Sequence, residues 1–406
     1  MPNKRHAALG FIFVTVLLDM LSFSIIVPLL PKLISDFLNG NTARASVYIG
    51  LFTTTWALMQ FVFAPVLGML SDRFGRRPVI LVSNFGLALD FFVMALAPSI
   101  GWLFLGRVLS GITSASIPTA TAYIADVTVP EKRAKAFGLL GAAFGIGFIL
   151  GPAIGGWLGN HNPRLPFWVA GVGSLLNFCY GLFILPESLP PERRQTTLQW
   201  KSANPVGALR LLRSHAQLLG LATVNFLGYV VHEIYVTVYV LYVIYRFAWD
   251  PRMIGISLAV VGIASMAAYS LVGPIVARLG ERRTLLTGLF CAAAGFAMLG
   301  WPSPIVFLAS IPVNAFWALA GSTSQSLMTQ HVSPSEQGEL QGALASLRGV
   351  AMLFGPGIFS LTFAYFIAPQ HLLPSAPWYL ASLLMLASLL LAWSVAKDKP
   401  VIPAHT

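Results

Sequence analysis

Asp19, Arg107 and Glu233 are ionisable side chains that lie inside long apolar segments of this chain. A charged group in hydrocarbon costs about 2.5–3.5 kcal/mol on insertion scales, so it is rare there and is usually functional. A buried carboxylate can take up and release a proton, whereas an arginine stays charged and needs an acid or several carbonyls as partners. These residue types predict proton exchange rather than covalent catalysis.

Arg107 is expected to find its partner in Asp19, if the first and fourth apolar segments line one cavity. Protonation of Asp19 would then free Arg107, so that a proton and a second ligand compete for the same pair. The alternative is a static buried salt bridge. Asp90, in the third apolar segment, is expected either to contact a substrate or to be structural.

Polar side chains in the second half of the chain suggest a further site. His232-Glu233 resembles the start of a zinc-protease motif, but Val236 stands where the second histidine would be, which excludes that chemistry. Glu233 is expected to bind a proton or a cationic substrate, or to be structural, and it is a possible partner of Arg348 at a different depth. The side chains that we predict to contact a substrate are Asp90, Gln60, Asn84, His232, Asn314 and Arg348.

Composition indicates what must position these residues. Of the 406 residues, 56% are hydrophobic and only 10% are charged, with a mean hydropathy of +0.76. A membrane span needs about 20 mainly apolar residues. We predict an all-α membrane protein with twelve transmembrane helices, at 9–30, 47–69, 79–97, 101–124, 135–158, 166–185, 217–245, 254–277, 284–301, 304–328, 340–367 and 376–396.

The net charge of +11 is explained by membrane topology rather than by nucleic-acid binding. With an inside N-terminus, eighteen Lys and Arg residues fall on the inner side and five on the outer side. This positive-inside bias predicts that both termini are cytoplasmic and that anionic lipid is the partner of the basic surface. Both cysteines, Cys179 and Cys291, lie in predicted spans, which excludes a disulfide framework. We expect the first apolar segment to be retained as a helix rather than cleaved.

The two halves of the chain resemble each other at an offset of about 204 residues. Gly151-Pro152 corresponds to Gly355-Pro356, and the loop at 68–78 has a weaker counterpart that ends at Arg282-Arg283. A common offset predicts two homologous six-helix bundles, with a substrate site between them near the membrane midplane. We predict an N-terminal bundle at 1–190, a linker with an interfacial helix at 191–215 and a C-terminal bundle at 216–406.

The loop at 68–78 is a short charged turn between two spans. Asp72 can pair with Arg76 or Arg77, or face a helix N-terminus. Gly68 would let neighbouring helices approach closely, and Pro78 fits the first turn of a helix. Such pairs can hold one helix to another and break when the halves move. The alternative is an inner loop that is merely basic.

The fifth span is rich in glycine around a central proline, in the pattern Gly145-x-Gly147-x-x-x-Gly151-Pro152-x-x-Gly155-Gly156. These small residues permit close helix contact, and ordinary packing is the alternative interpretation. The chain contains no Gly-x-x-x-x-Gly-Lys-Ser/Thr, no Gly-x-Ser-x-Gly and no Cys/His metal spacing. We therefore expect neither an enzyme nor a cofactor, with a proton gradient as the energy source.

On these residues the chain resembles the major facilitator superfamily and, within it, drug:proton antiporters of the tetracycline-efflux type. The resemblance covers nearly the whole chain and is strongest from residue 17 to residue 156. The matching segments are Leu17-Leu18-Asp19 with Pro28 and Pro31, the loop at 68–78, Leu89-Asp90, Leu105-Gly106-Arg107, Ile124-Ala125-Asp126, Gly151-Pro152, Arg246-Phe247 with Trp249, and Gly255 with Ser257-Leu258-Ala259.

The resemblance implies the major facilitator fold and a monomer that exchanges protons for an amphiphilic small molecule by alternating access, in a bacterial inner membrane. It assigns Asp19 and Arg107 to proton coupling, Asp90 to substrate, and Asp72 and Asp126 to the inner gate. We add Glu233 as a further proton-coupling acid, and we predict that gating also involves Gly68, Arg73, Gly75, Arg76, Arg77, Gly151 and Pro152. Proton symport or facilitated uptake is the alternative, which Gly151-Pro152 disfavours.

The chain departs from the tetracycline pattern in two places. Where those exporters carry an acid in the ninth helix, this chain has the neutral stretch Cys291-Ala292-Ala293-Ala294. Where their eighth helix carries a histidine, it has Ala264-Ser265. Another hydrophobic compound is therefore at least as well supported as tetracycline itself.

Overall fold

The computed structural model describes residues 2–113, 116–195, 209–212, 216–333 and 336–396, and these residues form helices without a strand. Helices are expected in a chain this apolar, because they satisfy every backbone polar group internally. In chain order the α-helices are α1 (Pro2–Ile25), α2 (Leu30–Phe37), α3 (Thr42–Phe74), α4 (Arg76–Leu96), α5 (Ile100–Thr113), α6 (Ser116–Val127), α7 (Pro130–His161), α8 (Leu165–Ile184), α9 (Leu209–Leu212), α10 (Ala216–Thr237), α11 (Tyr239–Phe247), α12 (Pro251–Leu279), α13 (Glu281–Leu299), α14 (Pro304–Ala315), α15 (Trp317–Thr329), α16 (Gln337–Phe366) and α17 (Ala376–Val395).

Each of the twelve predicted spans falls on one helix or on two consecutive helices. Eleven helical stretches of the described chain are long and apolar enough to cross a membrane. The remaining predicted span, 284–301, falls on α13, whose first three residues are Glu281, Arg282 and Arg283. These charges and a run of small residues lower its hydropathy, yet one face of α13 is buried.

The structure divides into two compact units. The first comprises Met1–Ala203 and Val236–Gly262. Within it, α1 packs on α7 and α8, α4 packs on α5 and α8, and α3 packs on α5. The second comprises Asn204–Tyr235 and Ile263–Thr406, where α13 packs on α14, α15 and α17.

This division reflects which helices pack together, and it places α10 and α11 in different units. The predicted limits of the two six-helix bundles, at residues 190 and 216, therefore stay a prediction. Of the predicted linker, a short 3₁₀ turn (Pro191–Arg193) and the single helical turn α9 are described. The rest of the predicted interfacial helix lies outside the described residues.

Candidate functional site

Arg107 and Asp90 form a buried ion pair between α5 and α4. The Arg107 guanidinium donates to the Asp90 carboxylate, and the two residues are 6% and 0% exposed. A Cβ at residue 106 would collide with the Asp90 carboxylate, so Gly106 provides the space for this pair. Removing one partner of such a pair leaves an uncompensated buried charge, which costs about 3–5 kcal/mol.

The acid beside Arg107 is thus Asp90, whereas we expected Asp19 in that position. The physical reason is that α4 and α5 are packed neighbours and Gly106 admits the carboxylate at the contact. Because Asp90 is fully buried and bonded to Arg107, a substrate could reach it only after the pair separates. Asp19 itself is 4% exposed in the middle of α1.

Asp19 lies beside a close contact between two helices of the first unit, α1 and α7. A Cβ at Gly147 would lie 2.6 Å from the Met20 Cβ, and Cβ atoms at Gly151 and Gly155 would collide with Ser24 and with the backbone next to it. The Ser24 hydroxyl donates to the Gly147 carbonyl oxygen at 2.7 Å. The glycine pattern of the fifth span therefore holds α7 backbone-to-backbone against α1, as the sequence indicates.

An adjoining face of α7 meets α12 closely as well. A Cβ at Gly156 would lie 3.0 Å from the Gly255 Cα, and one at Gly255 would collide with the Pro152 carbonyl. Pro152 thus lies where α7 contacts α12, one turn before Gly156. No larger side chain fits at either glycine unless the two helices move apart.

The second unit carries a different charged group, formed by Glu233 on α10 and Arg348 on α16. The Arg348 charge acts on Tyr229, His232 and Glu233, which lie on one face of α10. Glu233 is 7% exposed and packs on Gly355, whose Cβ would lie 2.8 Å from the Glu233 Cγ. The two charges therefore interact, although we placed them at different depths.

Aromatic rings continue from His232 into the core of the second unit. The His232 ring centroid lies 6.2 Å from those of Tyr235 and Trp317, and Phe296 is 5.6 Å beyond Trp317. The Tyr235 hydroxyl donates to the Asn314 side-chain oxygen at 2.7 Å. Asn314 is buried against Gly295, so this predicted substrate residue supports Tyr235 in the present structure.

Two further predicted substrate residues lie on α3 and α4. Asn84 is 0% exposed, and neither atom of its amide group makes a hydrogen bond in the described structure. A buried polar group of this kind is costly to leave unsatisfied. Gln60 is half-buried on α3. No group of three or more His, Cys, Asp or Glu side chains in the described residues is arranged to hold a metal ion.

The loop at 68–78 forms the charge network that the spacing predicts. Arg76 Nη1 lies 2.5 Å from the Asp72 carboxylate, and Arg76 Nε lies 3.1 Å from the Asp126 carboxylate at the end of α6. The Ser71 hydroxyl accepts a further bond from Arg76 at 3.1 Å. Arg76 therefore connects α3, α4 and α6. Of the partners predicted for Asp72, the structure shows Arg76.

Glu187, which the sequence reasoning missed, joins this loop to the end of α8. Its carboxylate accepts bonds from the backbone N–H groups of Arg76 at 2.9 Å and Arg77 at 3.2 Å, the first two residues of α4. It also accepts from the N–H groups of Ser188 and Leu189. A carboxylate at a helix N-terminus satisfies unpaired donors and favours the helix dipole. The feature of the sequence that could have indicated Glu187 is an acid directly after an apolar span.

The other members of the loop have separate roles. The Arg77 guanidinium donates to the Leu182 carbonyl in the last turn of α8. Arg73 lies over the Phe74 ring at 5.4 Å. A Cβ at Gly68 would meet no atom within 4 Å in the described structure, so the predicted close helix approach at Gly68 is wrong.

The corresponding loop of the second unit has the opposite charge at its first position. Glu281 takes the place of Arg76 and accepts bonds from the Ser326 hydroxyl at 2.6 Å and the Gln330 amide at 2.7 Å. Arg282 donates to the Trp393 carbonyl in the last turn of α17 at 3.3 Å, as Arg77 does in the last turn of α8. The internal repeat is therefore visible in these contacts.

A helical membrane protein with an internal repeat, buried intramembrane charges and a corresponding loop in each half has the features of a secondary transporter. The model of the Major Facilitator Superfamily matches residues 12–356. The chain belongs to this family, as the sequence predicted, and has its fold.

Similar proteins support the resemblance to tetracycline-efflux proteins. The chain is 38% identical over 368 residues to the class C tetracycline resistance protein of Escherichia coli, covering 89% of this chain and 91% of the relative. It is 34% identical to the class B protein of Escherichia coli over 354 residues, covering 86% and 87%. The similarity to tetracycline-efflux proteins is therefore confirmed.

Solved structures support the fold. The structure of the human organic anion transporter MFSD10 is similar at a TM-score of 0.67 with 25% identity, covering 96% of this chain and 99% of that chain. The D-xylose-proton symporter is similar at a TM-score of 0.77, with coverage of 97% and 98%. At 16% identity, the symporter indicates the fold alone.

Proposed function

We propose that this chain is a proton-coupled antiporter that exports amphiphilic small molecules across a bacterial inner membrane by alternating access. The observation that carries the proposal is the match to tetracycline resistance proteins of six classes, at 30–38% identity over most of the chain. The family model matches residues 12–356, which include Asp19, Arg107 and the loop at 68–78. The function is transport rather than catalysis, and the transporting unit is a monomer.

Asp19 is the proton carrier in this proposal. It is a buried acid in the middle of a span, where an uncharged carboxyl is favoured and a charged one is costly. Its neighbours along α1 contact α7 through glycines, so a change at Asp19 can alter the close contact between α1 and α7. Arg107 and Asp90 form the charged pair that a proton or a substrate would disturb.

The gating elements in this proposal are the loop at 68–78 and the glycines of α7. Arg76 joins three helices through Asp72 and Asp126, and these bonds must break if the helices separate during the cycle. Gly151 and Pro152 keep α7 close to α1 and α12. The loop is cytoplasmic and both termini lie inside the cell, as the excess of basic residues on one side supports.

The first test is a drug-susceptibility panel in a host that lacks its own efflux pumps, with tetracycline among the compounds. Wild type should raise the tolerated concentration of at least one amphiphilic compound, and Asp19→Asn should abolish this effect. Asp36→Asn is the matched control, because Asp36 is exposed and pairs only with Lys32 among the described ion pairs. An Asp19→Asn strain as resistant as wild type, at equal expression, would refute the coupling role.

A further inference from the structure

The two arginines inside the spans differ in what can reach them. Arg107 is 6% exposed and bonded to Asp90. Arg348 is exposed, although it lies in the interior of α16 (Gln337–Phe366). A charged side chain at such a position faces water or protein rather than lipid. Arg348 is therefore the intramembrane cation that a dissolved molecule can contact without first breaking a buried pair.

The direction of Arg348 follows from its neighbours. Its charge acts on Tyr229, His232 and Glu233, which are spaced i, i+3 and i+4 and so share one face of α10. Of these, Glu233 is only 7% exposed, because its Cβ and Cγ pack against Gly355. The accessible charge on this surface of the second unit is consequently the guanidinium and not the carboxylate.

An aromatic surface adjoins this charge. The Trp317 and His232 rings lie 6.2 Å apart at an angle of 44°. Behind them, Phe296 contacts Trp317 edge-on, and Phe296 is itself stacked on Trp378. Phe296 and Trp378 are fully buried, so they hold Trp317 in a fixed orientation. Rigid aromatic side chains offer a binding surface with little loss of conformational entropy.

We infer that this surface of the second unit binds a flat, conjugated organic anion, whose rings lie against Trp317 and His232 while its acidic group binds Arg348. A guanidinium binds carboxylate and sulfonate-like groups through two parallel hydrogen bonds. The inference rests on the proposed transport function and specifies its substrate class. It also reverses the sequence-based expectation that Glu233 would select a cationic substrate.

Two dyes with the same xanthene ring and opposite charge test this inference: fluorescein, an anion, and rhodamine 123, a cation. Binding is measured by fluorescence anisotropy, with the full-length protein in nanodiscs at pH 8 and without a proton gradient. Wild type should bind fluorescein more tightly than rhodamine 123. Arg348→Gln should weaken fluorescein binding by about tenfold, the loss expected for a charge-assisted hydrogen bond, and should not weaken rhodamine 123 binding.

Controls separate the charge from the rings. Arg278→Gln removes an exposed arginine from the end of α12 and should leave both affinities unchanged. Trp317→Ala should weaken both dyes, whereas Trp317→Phe should retain most of the binding because it keeps an aromatic face. Arg348→Lys should recover part of the fluorescein affinity, because the charge remains without the two-pronged geometry.

The inference is overturned if wild type fails to bind fluorescein, if it binds rhodamine 123 at least as tightly, or if Arg348→Gln weakens both dyes equally. Because no gradient is applied, these results do not depend on proton coupling. A wild-type protein that discriminates between the dyes but never moves a substrate on a pH gradient would refute the proposed function and leave this assignment intact.

Discussion

The two repeated loops, at 75–77 and 280–282, keep the same scaffold and differ in charge. In each, a glycine with positive φ precedes a helix: Gly75 has φ +108° and Gly280 has φ +79°. In each, the second residue after the glycine is an arginine that donates to a carbonyl in the last turn of the final helix of that half. The intervening residue is Arg76 in the first loop and Glu281 in the second.

The difference shows which part of the loop is architectural and which part can act as a switch. The glycine turn and the second arginine are retained in both halves, so they serve the helix packing that both halves need. Arg76 binds two carboxylates, whereas Glu281 binds a hydroxyl and an amide. Among the residues that the structure describes, only the first loop therefore holds a network of opposite charges, and gating by charge should be asymmetric between the halves.

The largest difference is expected at the two glycines. Gly75→Ala adds the cost of a positive φ, about 1–2 kcal/mol, and also drives a Cβ into the Glu187 carboxylate. Gly280→Ala adds only the first cost, since a Cβ there would meet no atom within 4 Å in the described structure. Thermal unfolding of the purified variants should show a clearly greater loss of stability for Gly75→Ala. Equal losses would mean that the contact with Glu187 is unimportant.

An intermediate difference is expected at the first position of each helix. Arg76→Gln removes the bonds to Asp72 and Asp126 and leaves two carboxylates close together, so transport should fall by about tenfold. Glu281→Gln keeps one oxygen that accepts hydrogen bonds. It should lower the transport rate by less than threefold, which corresponds to roughly the net contribution of one neutral hydrogen bond. Initial transport rates at matched expression check this. Similar losses in both variants would contradict the asymmetry.

The smallest effect is expected at Glu187, which has no charged counterpart in the contacts described for the second loop. Glu187→Gln retains one acceptor oxygen but places an NH₂ group toward backbone N–H donors, so we expect a loss of about 0.5–1 kcal/mol in stability. Glu192→Gln is the matched control, because Glu192 is exposed in the same segment. Chemical unfolding of both variants provides the comparison. Identical unfolding curves would contradict the role of Glu187 as a cap of α4.

Local patterns allowed the sequence to predict much of this fold. Hydropathy located the twelve predicted spans, because spans must be long and apolar, and each of them falls on helical residues, including α13 with its charged first turn. The Asp72–Arg76 pair was foreseeable because opposite charges in a short turn between two helices lie close together. The glycines of α7 follow a helical period and make the close contact with α1.

Contacts between distant segments could not be read from the sequence. Glu187 lies 111 residues after Arg76, and only the packing of α8 against α4 brings its carboxylate to the helix start. The Arg107 pairing with Asp90 depends on the room that Gly106 leaves, which spacing along the chain does not reveal. The ring contacts of Trp317 with His232 and Phe296 likewise arise from three separate segments.

The central claim is that the export is driven by protons through Asp19, and reconstituted liposomes test it most directly. Purified wild type and Asp19→Asn are compared for uphill movement of a compound that the susceptibility panel identifies, with an imposed pH gradient as the sole energy source. We predict that wild type accumulates the compound against its concentration gradient and that Asp19→Asn only equilibrates it. Uphill movement by Asp19→Asn at the wild-type rate would contradict the account.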